Sequence, residues 1–88
     1  NPTTATNIPS GEGNDVIAPL EGKFFLVKDN SEPPKKVGDA VKEGDVIAYI
    51  EAMKTYNAIR ADSDGVITGI IPNNGDTDEE DVVIMKIM

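Results

Sequence analysis

The chain has 88 residues, of which 16 are acidic and 8 are basic, and it contains no cysteine and no histidine. This length allows one small domain with a modest core, which favours a carrier or binding domain over an enzyme with a deep cleft of its own. The net charge of -8 argues against nucleic acid as a partner, and the missing residue types remove disulfides, thiol nucleophiles and the commonest metal ligand.

Residues 1–14 are predicted to be a flexible linker. The stretch is rich in Pro, Thr, Gly and Ser, and Ile8 is its one sizeable hydrophobic residue. Such a composition cannot bury enough apolar surface to offset the entropy of the chain. We therefore expect the folded domain to cover residues 15–88, joined by this linker to a further part of the protein.

The next segment is predicted to contain three strands and one long loop. Residues 16–19 and 23–27 are apolar runs separated by a turn that ends at Gly22, which is typical of paired strands. Residues 28–36 lack periodicity and contain two consecutive prolines, which fix backbone angles and remove hydrogen-bond donors. This stretch is therefore predicted to be a loop, and residues 37–41 after it are predicted to be a short strand.

A hairpin is predicted near the middle of the chain. Residues 45–50 and 56–61 are rich in the β-branched and aromatic residues that suit a pleated sheet. The residues between them have room only for a turn, so Lys54 is expected at the tip of the hairpin. An accessible lysine there is a candidate modification site; the alternative is an ordinary solvated lysine beside a partly exposed Met53.

The second half of the domain repeats the first. Ala18 precedes Gly22 by the same interval as Ala61 precedes Gly65, and an apolar run follows each glycine. Further correspondences pair residues 38–39 with 75–76 and residues 45–47 with 81–83. Reuse of common turn residues could produce a similar pattern, but two related four-stranded halves fit it better. Since no segment shows helical spacing, the predicted fold is an all-β sandwich or flattened barrel.

The acidic segment near the C-terminus is a weaker candidate site. Five carboxylates occupy six positions and could suggest calcium: Asp76, Asp78, Glu79, Glu80 and Asp81. Their spacing lacks the glycine and the distal glutamate of an EF-hand loop, so a solvated acidic turn is the favoured interpretation. Met85 and Met88, which follow this segment, are expected to pack as strand hydrophobes.

The hairpin tip carries a family motif. Glu51-Ala52-Met53-Lys54 resembles the attachment sequence of biotin carboxyl carrier domains, in which biotin is bound to the lysine ε-amine through an amide. The chain departs from the family at Thr55, where a second methionine is usual. The resemblance extends over residues 15–88, and the positions that recur at similar offsets are Asn57, Ile59, Ala61 and Gly65. It implies that Lys54 is biotinylated and that Glu51, Ala52, Met53 and Thr55 form the rest of the cofactor site.

This resemblance also implies a fold and a set of partners. The family fold is a flattened β-barrel of two four-stranded antiparallel sheets with quasi-twofold symmetry, with the lysine on an exposed hairpin turn and both termini at the opposite end. A biotin protein ligase would attach biotin covalently to Lys54. The ureido ring would then carry a carboxyl group between a biotin carboxylase site and a carboxyltransferase or decarboxylase site. The chain would be a noncatalytic carrier of an acyl-CoA carboxylase, such as the acetyl-CoA carboxylase of fatty acid biosynthesis.

The loop at residues 28–36 corresponds in position to the protruding thumb of bacterial acetyl-CoA carboxylase carriers, although its sequence does not match that thumb. As a thumb it is expected to fold back toward the hairpin tip, because its flanking strands are expected to run to the same end as the Lys54 turn. The alternative is a long surface loop, which small β domains tolerate.

Two other functions are open at this point. A lipoyl-type carrier is one, although lipoyl sites usually have an acidic residue before the lysine, where this chain has Met53. An unmodified β-barrel interaction module is the other. No apolar run approaches the length of a membrane span and no signal-peptide pattern opens the chain, so we expect a cytoplasmic protein without membrane insertion.

Overall fold

The computed structural model describes residues 13–88, and residues 1–12 of the predicted linker lie outside this range. Asn14, the last residue assigned to the linker, already belongs to the first strand. Eight strands follow one another in the described residues, which contain no helix: β1 (Asn14–Ile17), β2 (Gly22–Phe25), β3 (Ala40–Val41), β4 (Val46–Ala52), β5 (Thr55–Arg60), β6 (Gly65–Ile70), β7 (Thr77–Asp78) and β8 (Val83–Ile87).

The strands form two four-stranded sheets in which every pair is antiparallel. Their orders are β1-β8-β6-β3 and β5-β4-β2-β7. The core contains apolar side chains from both sheets, and its largest fully buried members are Phe24, Ile47, Ile50, Ile67, Ile84 and Met85. Burial of each such side chain contributes about 1.5–3 kcal/mol to folding. The predicted flattened sandwich of two four-stranded sheets is confirmed.

The two halves of the domain are related by quasi-twofold symmetry. Phe24 exchanges backbone hydrogen bonds of 2.7 and 2.8 Å with the turn at residues 75–76. Ile67 exchanges bonds of 2.8 and 2.9 Å with the turn at residues 38–39. Each half therefore fastens a turn of the other half to its own strand, and the predicted correspondence of these two turns is confirmed.

A second set of bonds fixes the register of the repeat. Ala61 exchanges hydrogen bonds with Gly44 and Asp45, and Ala18 exchanges bonds with Asp81 and Val82. Gly44 therefore corresponds to Asp81, and both have positive φ angles, 90° and 73°. The predicted match of Ala18 with Ala61 is confirmed. The predicted match of residues 45–47 with 81–83 is wrong by one position.

Strand directions place the described ends of the chain far from the β4–β5 turn. Strand β5 runs back from that turn, and the chain then turns again before Gly65. A Cβ on Gly65 would stand 2.6 Å from the carbonyl oxygen of Met88, and Asn14 pairs with Ile87. The expectation that the lysine and the two ends of the domain lie at opposite ends of the barrel is confirmed for the described residues.

Two sequence predictions about strands need correction. Residues 37–41 form a strand only at Ala40–Val41, because Gly38 has a φ of 99° in a turn. Thr77–Asp78, predicted to lie in a solvated turn, is strand β7 and pairs with β2. The prediction for Met85 is confirmed, since it is fully buried, but Met88 is 55% exposed.

The loop at residues 28–36 is an insertion in one half of the repeat. Gly38 follows Phe24 by 14 positions, whereas Gly75 follows Ile67 by 8, so the first half carries six additional residues. Strand β2 begins level with the hairpin tip and runs away from it, because Lys23 pairs with Glu51 and Phe25 with Tyr49. The expectation that the strand before the loop runs to the lysine end was wrong. The thumb position itself stays a prediction.

Within the part of the chain that the structure describes, no helix has the length and hydrophobicity needed to span a bilayer.

Candidate functional site

Lys54 lies in a two-residue turn at the end of the β4–β5 hairpin. Ala52 and Thr55 form the last cross-strand pair, so Met53 and Lys54 are the two central residues of the turn. Their φ angles are 53° and 64°. Two positive φ angles are the pattern of a type I′ turn, whose twist matches that of the paired strands. The predicted placement of Lys54 on an exposed hairpin turn is confirmed.

The residue types in this turn are unfavourable for its backbone conformation. Asn and Gly are the usual residues of a type I′ turn, whereas a left-handed conformation costs other residues about 1–2 kcal/mol each. In the described range, Asp81 is the only other non-glycine residue with positive φ. Residues held in such a conformation cluster at functional sites, where the surrounding structure maintains them. The strain therefore marks Met53 and Lys54 as candidates for a functional role.

The hairpin beneath the turn supplies the restraint. Six cross-strand pairs join β4 to β5. The side chain of Asn57 adds two hydrogen bonds, because its Nδ2 donates to the carbonyl oxygens of Ile50 at 3.1 Å and Thr55 at 3.2 Å. The sequence singled out Asn57 only for its offset from Lys54. The structure shows that it ties the two strands together immediately below the tip.

Aromatic packing supports the outer face of the same hairpin. Tyr56 packs edge-on against Phe25, with ring centroids 5.8 Å apart, and against Tyr49 at 6.2 Å. Such pairs contribute about 0.5–1.5 kcal/mol beyond the burial of their area. Three neighbouring strands are thereby joined on the side of the sheet that faces away from the core.

The turn residues are open to solvent. Met53 is 97% exposed, and Lys54 and Thr55 are also exposed, whereas Glu51 and Ala52 at the end of β4 are half-buried. All five predicted site residues therefore lie together at the tip. The primary amine of Lys54 can enter the active site of another protein and form an amide there once it is deprotonated.

An open depression of ≈ 510 Å³ adjoins Lys54. It is lined by Glu21, Gly22, Lys23, Glu51, Ala52, Met53, Lys54 and Thr77. Lys23 in β2 pairs with Glu51 in β4 on one side and with Thr77 in β7 on the other. Glu51, Lys23 and Thr77 therefore form one row across three strands. The sequence analysis missed Glu21, Lys23 and Thr77, because only strand pairing brings them to Lys54 and no local spacing reveals it.

The carboxylates of the acidic segment do not form a metal-binding group among the described residues. Among residues 13–88, no group of three or more carboxylate, imidazole or thiol side chains could hold a metal ion. The solvated interpretation fits Asp76, Glu79, Glu80 and Asp81, which are exposed. Asp78 differs, since burial, and secondarily the charge of Asp76, raises the pKa of its carboxyl group. Its Oδ2 is buried without a hydrogen-bond partner among the described residues.

Comparison with protein families identifies one model that matches nearly the whole domain. The biotin/lipoyl model, described as "Biotin-requiring enzyme", matches residues 14–87. The biotin carboxyl carrier protein of acetyl-CoA carboxylase from Streptococcus pyogenes serotype M6 is 45% identical, over 77% of this chain and 42% of that protein. The proteins of the same name from Cyanidium caldarium and Pseudomonas aeruginosa are 40% and 36% identical. The match to the Cyanidium caldarium protein covers 84% of this chain and 49% of that protein. The match to the Pseudomonas aeruginosa protein covers 91% of this chain and 52% of that protein. The chain therefore spans about half the length of the curated relatives it matches.

Two solved structures resemble the domain over almost all of its length. The urea carboxylase of Kluyveromyces lactis superposes with a TM-score of 0.74 and 28% identity, covering 98% of this chain and 7% of that chain. The lipoyl domain of the 2-oxoglutarate dehydrogenase complex from Azotobacter vinelandii superposes with a TM-score of 0.57 and 28% identity. It is covered over 92% of its length and matches 98% of this chain.

Proposed function

The chain belongs to the biotin-requiring enzyme family, and from that premise we propose that it is a noncatalytic biotin carrier with the cofactor joined to the ε-amine of Lys54. The observation that carries this proposal is the position of Lys54 in an exposed, two-residue turn at the end of a braced hairpin. The names of three relatives that are 36–45% identical, all biotin carboxyl carrier proteins, support biotin as the attached group.

The residues of the turn fit a covalently attached biotin. Attachment requires a primary amine that a ligase can reach, and Lys54 is exposed beyond the last strand pair of the hairpin. When attached, biotin would supply the group that carries the carboxyl. The domain contributes a fixed starting point for the biotinylated side chain, because the pairs beneath the turn hold the Lys54 backbone in place.

For the whole protein, we propose the carboxyl carrier of an acyl-CoA carboxylase, with acetyl-CoA carboxylase as the first candidate. The names of the relatives support this choice. The partners proposed on this basis are a biotin protein ligase, a biotin carboxylase and a carboxyltransferase, and the proposed compartment is the cytoplasm. Residues 14–88 would be the carrier domain, since Asn14 belongs to β1, and the residues before Asn14 would be the linker, as their composition suggests.

A lipoyl carrier is the second candidate. It is favoured by the superposition on a lipoyl domain over 92% of that domain's length. The residue before the lysine argues against it, since Met53 stands where lipoyl sites usually have an acidic residue. Biotin and lipoate add different masses to a protein, so one measurement separates the two candidates.

The test is the intact mass of the full chain after expression with a biotin protein ligase and, separately, with a lipoate ligase. We expect a biotinyl group on the wild type and on the control Lys42→Arg, and none on Lys54→Arg, because a guanidinium group is a poor acyl acceptor. Biotin on Lys54→Arg, or a lipoyl group in place of biotin on the wild type, would overturn the proposal. Fractionation of the native host tests the proposed compartment.

A further inference from the structure

We propose that the depression beside Lys54 is a resting site for the biotin headgroup, in which Lys23 and Glu51 hydrogen-bond to the ureido ring. This inference rests on the proposed attachment at Lys54. It goes beyond that proposal because it assigns a ligand-binding role to residues of β2 and β7, which lie far from the attachment motif in the sequence.

The geometry of the sheet places this row within reach of the attached group. Glu51 precedes Ala52, the last paired residue of β4, so the row that contains Lys23 and Thr77 lies just below the turn. Neighbouring rows in a sheet are only about 3.4 Å apart. Lys54 itself lines the same depression. A biotinylated side chain of Lys54 that bends back onto the sheet can therefore reach this row.

The polar groups of the row complement a ureido ring. The ring presents one carbonyl oxygen as an acceptor and two N–H groups as donors. Lys23 has three N–H donors, the Glu51 carboxylate only accepts, and the Thr77 hydroxyl can do either. Hydrogen bonds to a charged ammonium or carboxylate group are roughly twice as strong as those between neutral groups. Lys23 can thus donate to the ureido oxygen while Glu51 accepts from a ureido N–H.

The side chains of Lys23, Glu51 and Thr77 have no hydrogen-bond or ion-pair partner within the described part of the domain. The ion pairs found in residues 13–88 are Lys36–Asp39 and Lys86–Asp15. None of the side-chain hydrogen bonds in that range involves Lys23, Glu51 or Thr77. A ligand in the depression would therefore displace no side-chain hydrogen bond or ion pair that these residues make within residues 13–88.

The depression also offers a surface for the apolar part of biotin. Gly22, Ala52 and Met53 supply the apolar part of its lining. Met53 is 97% exposed and has a flexible side chain, so its thioether can pack against the sulfur-containing ring. The lining thus combines polar and apolar groups, as small-molecule sites generally do.

Two other surfaces near the hairpin could receive the headgroup instead. One is the aromatic cluster of Phe25, Tyr49 and Tyr56, which lies on the other side of Glu51. The other is the loop at residues 28–36. Binding of the headgroup at the depression, at the aromatic cluster or at the loop would change the chemical shifts of a different set of backbone amides. One NMR experiment therefore separates the three locations.

The experiment compares amide chemical shifts of the biotinylated and unmodified full chain, after intact mass has established the state of each sample. We expect shift changes at Lys23, Glu51 and Thr77, together with nuclear Overhauser effects between the ureido N–H protons and the side chains of Lys23 and Thr77. Lys23→Gln should lower the ratio of docked to free headgroup about fivefold, because a neutral amide donor replaces the charged ammonium donor. Lys42→Gln, which removes the same charge at a distant turn, should leave the ratio unchanged.

Shift changes confined to residues 52–56 would overturn the resting site, and so would changes located in the loop at residues 28–36 or in the aromatic cluster. An equal loss of docking in Lys23→Gln and Lys42→Gln would show a general charge effect and would also overturn it. A wild-type mass without added biotin after ligase treatment is a separate outcome. It would overturn the attachment at Lys54, and the resting site with it.

Discussion

Asp78 occupies in the second half of the domain the position that Val41 occupies in the first. Val41 pairs with Gly65 in one sheet, and Asp78 pairs with Gly22 in the other. Val41 is 3% exposed and belongs to the core. At the equivalent position, Asp78 has a carboxylate oxygen buried without a partner among the described residues. A charged group thus stands where the symmetry of the fold calls for an apolar one.

Replacement of Asp78 by valine should stabilise the domain. Asp78→Val removes the unsatisfied oxygen and restores the apolar residue found at the equivalent position, so we expect a gain of about 1 kcal/mol in the free energy of unfolding at neutral pH. Chemical denaturation measures this change. Asp62→Val, which alters an exposed aspartate, is the control and should change stability little. A loss of stability in Asp78→Val would contradict the assignment of the site as core-like.

The same carboxylate should give stability a distinctive pH dependence. Burial, and secondarily the charge of Asp76, raises the folded-state pKa of Asp78 above the unfolded value of 3.8. The favourable contribution of Asp78 to the free energy of unfolding is therefore fully present below pH 3.8. It is lost as the pH rises through the folded-state pKa of Asp78. The free energy of unfolding, measured at several pH values, should therefore increase for Asp78→Asn relative to the wild type as the pH rises above 3.8.

Asp39→Asn provides a control of opposite sign. Side-chain and backbone hydrogen bonds from Lys36 lower the pKa of Asp39, so its contribution is present above the unfolded value of 3.8 and is lost as the pH falls through the folded pKa. The free energy of unfolding of the wild type should therefore increase relative to that of Asp39→Asn as the pH rises. Parallel pH profiles for the two variants would contradict the prediction.

Two symmetry-related glycines should be intolerant of any side chain. A Cβ on Gly22 would overlap the carbonyl oxygen of Glu51, and a Cβ on Gly65 would stand 2.6 Å from that of Met88. Since both neighbours are backbone atoms, relief requires the strands to shift. We expect Gly22→Ala and Gly65→Ala each to cost at least about 2 kcal/mol of unfolding free energy, measured by chemical denaturation.

Gly38→Ala is the matched control for these glycines. Nothing lies within 4 Å of the Cβ position of Gly38, so its substitution meets only the cost of a φ of 99°. That cost is about 1–2 kcal/mol. A larger loss in Gly38→Ala than in Gly22→Ala would show that backbone conformation, and not the close approach of the strands, governs these positions.

The strained turn should become more stable with a residue that suits it. Asn is favoured at positive φ, so Met53→Asn should raise the free energy of unfolding by about 1 kcal/mol. Thermal or chemical denaturation measures the gain, and Met88→Asn is the control because Met88 is exposed but does not have positive φ. Equal effects of the two substitutions would show that removal of an exposed apolar side chain, and not relief of the turn, is responsible.

The loop at residues 28–36 should be dispensable for folding. Deletion of residues 29–34 would give the first half the same spacing that the second half has between Ile67 and Gly75. The backbone N–H of Lys36 would still donate to the carboxylate of Asp39, as the N–H of Asn73 donates to the carboxylate of Asp76 in the second half. We expect a folded domain whose stability changes by about 1 kcal/mol or less, because loop length affects closure entropy weakly. Loss of the β-sheet circular dichroism signal would contradict this expectation.

The sequence predicted what is local in this fold. The hairpin and its lysine could be read because two runs of β-branched and aromatic residues enclose a segment too short for anything but a turn. Strand β7 could not, since Thr77 and Asp78 have no hydrophobic pattern and become a strand only by pairing with β2. The depression escaped prediction for the same reason: Lys23, Glu51 and Thr77 become neighbours only when the sheet forms.

For the biotin attachment proposed at Lys54, the two-residue turn has a mechanical consequence. The Lys54 backbone is fixed by the hairpin pair directly beneath it, so the turn cannot act as a hinge. Rotation about side-chain bonds sets the radius within which the cargo can move while the domain stays still. Transport beyond that radius requires the whole domain to change place, as a rigid body. If the domain stays in one position, the attached group can therefore reach only sites that lie within the length of the biotinylated side chain.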